Sequence, residues 1–572
     1  MRPAALSRTL LIGLALVAAS ALTRGQLLEQ STRESDAIRG TVLNSLTHAP
    51  VSRALVYSPD DRFATLTDEN GRFEFKLPQT KQPSPQSAET EAGEVMVQYG
   101  VRRPYALLAR KPGFLEPANN FQQLSSDQEN VTIYLTPEAM ITGHVKLPSD
   151  TFERIQVELD RREIQNGTAR WITAGSLVVR SDGGFRFPEL PAGEYKVFTH
   201  ELLDRDPLTF DPRGQLFGYP PVYYPAAPDF ASAQAILLET GANFDATLTP
   251  TRREYYPVEI DIANAPLGQG FTVEVFPSGQ PGPGYALSYN ARQQRIQGSL
   301  PDGNYTLQLW TFGQPGESGD LNFSVSGGPA RALSVAFSPN TSISVNLTEE
   351  FTSTEDLENG SVVTFAGPNG PGPRRDVQLF LEPVGEFDQR QQVWLRQPSG
   401  SEDASLVFEN VRPGRYWLGI NPARGYVASV KCGETDLLRH PLVVTAGGTP
   451  PIELTLRDDG AQIEGTVENL SGKESSRGVI RSAQQFGRVC LVPLPESSGQ
   501  FREEWVSPGG EFAINQVPPG DYRVLAFDRE PKDLDYRDDA ALTKYEALGQ
   551  EVSLVAGQKQ RLSLSAISGS GR

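Results

Sequence analysis

Four histidines, two cysteines and one dense run of carboxylates are the residues of this 572-residue chain best suited to chemistry. Three positions beyond His48, His144, His200 and His440 stand Val51, Leu147, Leu203 and Val443. None therefore opens the His-x-x-Glu pair of a zinc peptidase, and no His-Glu-x-x-His occurs. Cys432 and Cys490, the only cysteines, lie too far apart for a Cys-rich zinc site. There is no Gly-x-Ser-x-Gly nucleophile elbow and no Gly-rich phosphate loop. A Ser-His-Asp site would need a long-range coincidence among very few histidines.

The carboxylates are Asp528, Glu530, Asp533, Asp535, Asp538 and Asp539, interleaved with Tyr536. Calcium takes about six to eight oxygens, and such a stretch could supply several. The spacing lacks the glycine and terminal Glu of an EF-hand, so a solvated acidic loop is the preferred reading. No catalytic, cofactor-binding or metal-ligating residue is assigned, no cofactor is expected, and the chain is read as a non-enzyme. The best candidate for ligand contact is the run Phe217-Gly-Tyr219-Pro-Pro-Val-Tyr223-Tyr224-Pro225. Prolines stiffen it, and Tyr219, Tyr223 and Tyr224 could stack on sugars or peptides. The competing reading, which the sequence favours, has Tyr223 and Tyr224 packing the second and third domains together. Trp310, Trp394, Trp417 and Trp505 are read as core or half-core.

The elements that must position these residues repeat. Phe185-Arg-Phe187-Pro-Glu-Leu190-Pro191-Ala-Gly193-Glu-Tyr195 returns as Leu406-Val-Phe408-Glu-Asn-Val411-Arg-Pro413-Gly414-Arg-Tyr416. It returns again as Phe512-Ala-Ile514-Asn-Gln-Val517-Pro-Pro519-Gly520-Asp-Tyr522. A shorter copy, Leu300-Pro301-Asp-Gly303-Asn-Tyr305, lies between the second and fourth repeats. A spacing of about a hundred residues implies tandem whole domains rather than solenoid units. A Pro/Gly turn ends one strand, and Tyr opens an inward-facing strand with its ring in the core. Its hydroxyl can bond backbone across the bend, as in the tyrosine corner of other sandwiches.

Gly and Pro number 53 and 45, few stretches hold a helical apolar period, and the expected class is all-β. The N-terminus has the layout of a secretory signal: Arg2 and Arg8, an apolar Leu10–Ala18, then small residues at Ala19-Ser-Ala21 and a second cut near Gly25. An exported protein, in the periplasm, at the cell surface or outside the cell, follows. The competing reading is a retained N-terminal anchor, but the apolar stretch is short for a span. The net charge of -18 disfavours nucleic acid and anionic membranes as partners. The two cysteines fall in different repeats, so a disulfide would have to staple neighbours; two buried, unpaired thiols are preferred.

Gly40-x-Val42, Pro50-Val51-x-x-Ala54-x-Val56, Thr67-Asp68-x-x-Gly71-x-Phe73-x-Phe75 and Lys111-Pro-Gly113-Phe114 resemble the carboxypeptidase regulatory-like domain. Gly143-x-Val145 with Phe185, and Gly465-x-Val467 with Phe512, repeat that resemblance. Through Tyr426-Val-Ala-Ser-Val430-Lys-Cys432-Gly433-Glu-Thr-Asp436, Leu548-Gly-Gln-Glu-Val552-Ser-Leu554-Val-Ala-Gly557 and the acidic Tyr536 stretch, the two C-terminal repeats resemble large exported proteins of soil bacteria, Acidobacteria especially. The resemblance covers most of the mature chain and departs in the third repeat, which keeps only the Tyr305 corner. It implies a prealbumin-like β-sandwich, and by analogy a carbohydrate-binding-like one. The expectation is a signal peptide at 1–25 and a string of about five immunoglobulin-like or prealbumin-like β-sandwiches, at 36–138, 139–251, 252–350, 351–458 and 459–568. The expected function is non-catalytic binding, adhesion or structure, with a carbohydrate or protein partner. The alternative is an accessory subunit or remnant of a secreted peptidase, without an active site of its own.

Overall fold

The computed structural model describes residues 37–77, 106–115, 122–123, 130–147, 155–204, 215–352, 377–386, 392–396, 403–470 and 487–568, apart from a few positions inside those ranges. The signal peptide expected at 1–25 and the polar loop expected at 79–93 lie outside the described residues. The chain divides into two compact units, with the main boundary between Pro137 and Glu138. Among the described residues the only helix is Asp539–Thr543; all other regular structure is strand, and the protein is an all-β chain of small packed sheets.

One pairing scheme recurs along the chain. The strand that opens each repeat pairs in parallel with the strand that closes it. In the smaller unit Ala37–Asn44 pairs with Asn130–Leu135. In the larger, Ala139–Val145 pairs with Asn243–Leu248, Arg253–Ile262 with Ala330–Val335, Thr341–Glu350 with Ile452–Arg457, and Ala461–Glu468 with Lys559–Ser565. Each opening strand also takes an antiparallel neighbour, such as Gly184–Leu190 or Glu511–Val517. A four-stranded sheet packs against each of these, for example Thr168–Val178, Gln156–Gln165, Gly193–Thr199 and Ile236–Leu238 in that order. The strand Thr341–Glu350, which the sequence reading put at the end of the third repeat, pairs with Leu406–Val411 and Ile452–Arg457 of the fourth. Its alternation explains this, since Ile343 and Val345 join the fourth core.

Alternation does what the sequence required of it. Phe73 and Phe75 point inward from Arg72–Lys76 while Arg72, Glu74 and Lys76 face out. The Gly-x-Val motif has a steric cause. A Cβ at Gly40 would lie 2.3 Å from the Val131 carbonyl and 2.4 Å from the Phe73 ring. At Gly143 the same atom would meet the Ala246 carbonyl at 1.9 Å and Phe185 at 2.5 Å. At Gly465 it would meet Leu562 and Phe512. The aromatic on the neighbouring strand lies across the glycine, covering backbone that has no side chain of its own.

All four corners close as the Tyr geometry implied. The hydroxyls of Tyr195, Tyr305, Tyr416 and Tyr522 donate to the carbonyls of Pro191, Pro301, Arg412 and Pro518 at 2.7, 2.8, 2.9 and 2.7 Å. The donor lies four residues beyond the acceptor each time, and every ring is buried. Gly303 shows why glycine stands two residues before the ring: a Cβ there would come within 3.0 Å of the Tyr305 hydroxyl. Each ring removes about 150–250 Å² from water. The corner is thus a repeated anchor joining the strand turn to the core.

Candidate functional site

The outer face of the sheet around Gln156–Gln165 carries the polar residues of most interest. Val157 and Leu159 point into the second sandwich, so Glu158, Asp160 and Arg162 point the other way, beside Lys196, Phe198 and His200 of Gly193–Thr199 and the residue after it. The segment around 220–233 folds over this face. Phe198, Tyr223, Phe230 and Ala233 make a small second core there, with Trp171 packed against it. Tyr223 lies 5.0 Å from Phe198 and edge-on to Phe230 at 6.0 Å. Lys196 Nζ donates to the Phe230 carbonyl at 2.6 Å and sits over the Trp171 and Phe230 rings.

Tyr219 and Tyr223, offered by the sequence as a contact surface, are only 5% and 3% exposed. Tyr219 belongs to the main core of the second sandwich, and Tyr224 is partly buried with its ring edge-on to Phe244 at 5.6 Å. The proline-stiffened run turns its rings inward because the sheet beneath it presents Phe198 and Trp171, which need cover. Tyr223 therefore packs chiefly within its own repeat. The run also reaches the third repeat: Leu216–Tyr219 pairs antiparallel with Arg253–Ile262, and Tyr223 shares a small hollow with Pro277 and Tyr285.

Beneath this cover, His200 Nε2 lies 2.7 Å from Glu158 Oε2, and Thr173 donates to Glu158 Oε1 at 3.0 Å. Burial works against the Glu158 charge, but these hydrogen bonds win and hold its carboxyl below the ordinary value. Asp160 is 1% exposed, and neither of its oxygens has a hydrogen-bond partner. Burial, helped by the neighbouring Glu158 charge, pushes its carboxyl up to about 7. The other three histidines are exposed and stand on other elements.

The same sheet ends in a long hairpin, Gln156–Gln165 to Thr168–Val178, whose turn is Asn166-Gly167 with φ of 51° and 71°. Both central residues have positive φ, as a two-residue hairpin turn demands. The hairpin reaches the fourth and fifth repeats. Arg162 makes a two-pronged bond to Glu386 at 3.2 and 3.0 Å and lies 3.6 Å from Asp535. Trp171 donates its main-chain N–H to the Glu386 carbonyl and its indole N–H to the Glu386 carboxylate, both at 2.9 Å. Arg170 bonds Glu382 at 2.9 Å and the Pro383 carbonyl at 3.0 Å. Opposite the turn, Tyr536 N–H donates to the Gly167 carbonyl at 2.9 Å. Tyr536 stacks on Phe501 at 4.7 Å, and a Cβ on Gly167 would strike both rings.

These contacts reassign the acidic stretch. Asp535 is 6% exposed and serves the hairpin; Asp538 caps the short helix by accepting from Ala540 N–H; Asp533 accepts from Lys544 and from Tyr545, the latter at 2.6 Å. Asp528 is 5% exposed. The stretch is part solvated, with Glu530, Asp533 and Asp539 exposed as expected, and part engaged through Asp528 and Asp535; no group of three metal-type ligands occurs among the described residues. Cys432 and Cys490 are both unpaired; Cys490 is buried, whereas Cys432 is only half-buried.

Arg162, Glu386, Gly167 and Trp171 were not singled out from the sequence. The signal that could have found the hairpin was Asn166-Gly167 between two alternating runs. Of the four tryptophans, Trp310 and Trp417 are half-buried beneath Arg412 and Arg537, whereas Trp394 and Trp505, the latter under Arg488, are 52% and 40% exposed. In the fifth repeat Trp505 edges an open groove lined by Glu464, Thr466, Glu511 and Arg561. No helix among the described residues is long and apolar enough to cross a membrane.

No family model matches this chain, and no curated protein matches it. Solved structures do align with it. The Bacillus anthracis TIE protein aligns over 72% of this chain and 68% of its own, at 9% identity and TM-score 0.13. The RrgB pilus protein from Streptococcus pneumoniae aligns over 76% and 98%, at 10% identity and TM-score 0.12. The pilus adhesin SpaC from Lactobacillus rhamnosus GG aligns over 53% of this chain, which spans 42% of that one, at 11% identity and TM-score 0.15. Similarity at this level does not carry a ligand or an activity from one protein to another.

Proposed function

We propose that this chain is an exported, non-catalytic binding protein that presents β-sandwich surfaces to a carbohydrate, with a peptide as the competing ligand. The observation that carries the reading is the recurrence of one parallel first-to-last strand pairing along the chain. A sequence spent on repeating one scaffold displays surfaces; it does not gather a reaction centre. The polar side chains best suited to chemistry are engaged in holding sandwiches, as with His200 on Glu158 and Asp535 on the hairpin. The signal-like layout of residues 1–25 supports export, and the resemblance to carboxypeptidase regulatory-like domains supports a carbohydrate-binding-like sandwich.

The groove beside Trp505 favours carbohydrate over peptide. The ring is 40% exposed, enough to stack on a sugar face, and Glu464, Glu511 and Thr466 can accept hydrogen bonds from hydroxyls. Arg488, over the same ring, orients it. The test is a panel of soluble polysaccharides and peptides read by calorimetry and by thermal shift. Saturable polysaccharide binding that Trp505→Ala abolishes is the expected result. Turnover of any panel member, or no binding to any by the folded chain, overturns the proposal.

A further inference from the structure

The hairpin of the second sandwich joins the fourth and fifth without sharing an apolar core with them. The buried apolar residues of the three sandwiches form separate clusters. What crosses between them is polar: the Arg162 and Arg170 ion pairs and a few main-chain bonds, with one apolar element, the Phe501–Tyr536 stack against Gly167. We infer that this hairpin is a reversible, charge-locked clasp, which holds the fourth and fifth sandwiches to the second and lets them go when its ion pairs are weakened.

Three features make the clasp separable. Its donors and acceptors can all take water when it opens, and the rings that opening uncovers, Trp171, Phe501 and Tyr536, are few. Salt reaches the clasp through Glu386, whose side chain is 44% exposed, whereas Arg162, Arg170, Glu382 and Asp535 are 8–18% exposed and are screened less. It also closes an intramolecular loop: Ala169 and Asp535 are 366 residues apart. A tether of folded sandwiches keeps the partners at high effective concentration, so a modest interface suffices to close it. The fourth and fifth sandwiches have bonds of their own, Gln500 Nε2 to the Val427 carbonyl at 2.7 Å and Arg439 to the Glu496 carbonyl at 2.7 Å. They therefore leave the hairpin as a pair. Release uncovers the Trp171 and Tyr536 rings and does not depend on any ligand.

The test uses the full chain with Cys432→Ser and Cys490→Ala, and spin labels at Val178→Cys and Val555→Cys, both exposed positions. Dipolar spectroscopy at about 0.05 M NaCl should give one narrow distance. Raising salt to about 1 M, or introducing Arg162→Ala with Arg170→Ala, should move population to longer, broader distances, with the closed-to-open ratio falling about ten-fold. Neither arginine belongs to a sandwich core, so far-ultraviolet circular dichroism should stay native while the near-ultraviolet signal of Trp171 and Tyr536 changes. An unchanged narrow distance in both the natively folded double variant and the high-salt sample overturns the inference. Should the double variant unfold, the salt series on the chain retaining both arginines decides alone.

Discussion

The main-chain N–H of Ala169 donates to the Asp535 carboxylate at 3.2 Å, across 366 residues of chain. Asp535 thus does for the hairpin strand what a neighbouring strand would do elsewhere: it satisfies a buried N–H that has lost water. Removing the carboxylate should leave that donor unpaired and Arg162 with one anion fewer. Asp535→Ala is expected to lower stability by about 1–3 kcal/mol, read by urea unfolding, while Asp538→Ala should cost about 1 kcal/mol through loss of a helix cap.

Gly167 has no tolerated replacement among larger residues. Its φ of 71° and the Phe501 and Tyr536 rings 2.7–2.9 Å from a would-be Cβ act together. Gly167→Val should cost about 2–3 kcal/mol, and an additional Phe501→Ala should recover part of the steric loss. A double-mutant cycle measured by denaturation checks the coupling.

Tyrosine corners should respond in two steps. Tyr195→Phe, Tyr416→Phe and Tyr522→Phe each lose one bond to a carbonyl and should cost about 1 kcal/mol. The corresponding Ala variants also lose the buried ring and should cost about 3–5 kcal/mol. Differential scanning calorimetry of the six variants separates the two contributions. Equal Phe and Ala effects would mean that the ring does not anchor the turn.

Asp160 gives a pH dependence of definite sign. Its folded value of about 7 lies above the ordinary 3.8, so the folded state holds the proton more tightly. The linked stability is therefore full below about pH 4, falls as pH rises toward about 7, and is gone above it, by at most about 4 kcal/mol. Asp160→Asn should flatten this part of the curve and be more stable than the parent near about pH 8. Urea midpoints of both proteins across that range decide it; parallel curves contradict the assignment.

Burial pushes the Cys490 thiol well above its ordinary range, and burial also raises that of the half-buried Cys432. Ellman's reagent should label Cys432 alone in the native chain and both thiols in denaturant. Cys432→Ser should abolish native labelling.

The parts of this fold legible in the sequence are those set by neighbours along the chain. Period-two alternation put Phe73 and Phe75 inside, and the Pro-x-Gly-x-Tyr phrase announced four corners that close alike. What escaped depends on partners hundreds of residues away. Among the carboxylates at 528–539, Asp533 meets Lys544 nearby in sequence, but the burial of Asp535 could not be read because its partners, Arg162 and the Ala169 N–H, lie in the second sandwich. The Tyr219–Tyr224 run offered a contact surface because its prolines suggest display, and packing between the second and third repeats was the favoured alternative. The apolar outer face that draws Tyr223 inward appears only once Phe198, with Trp171 two strands away, stands on the same face of one sheet.

The parallel ladder between opening and closing strands has a mechanical consequence. Two parallel neighbours run the same way, so the polypeptide enters each sandwich at one pole and leaves at the other. Tension applied through the backbone pulls these two strands past each other lengthwise. In the fifth repeat seven residue pairs, from Gln462 with Lys559 to Glu468 with Ser565, would bear that load together rather than unzip in turn.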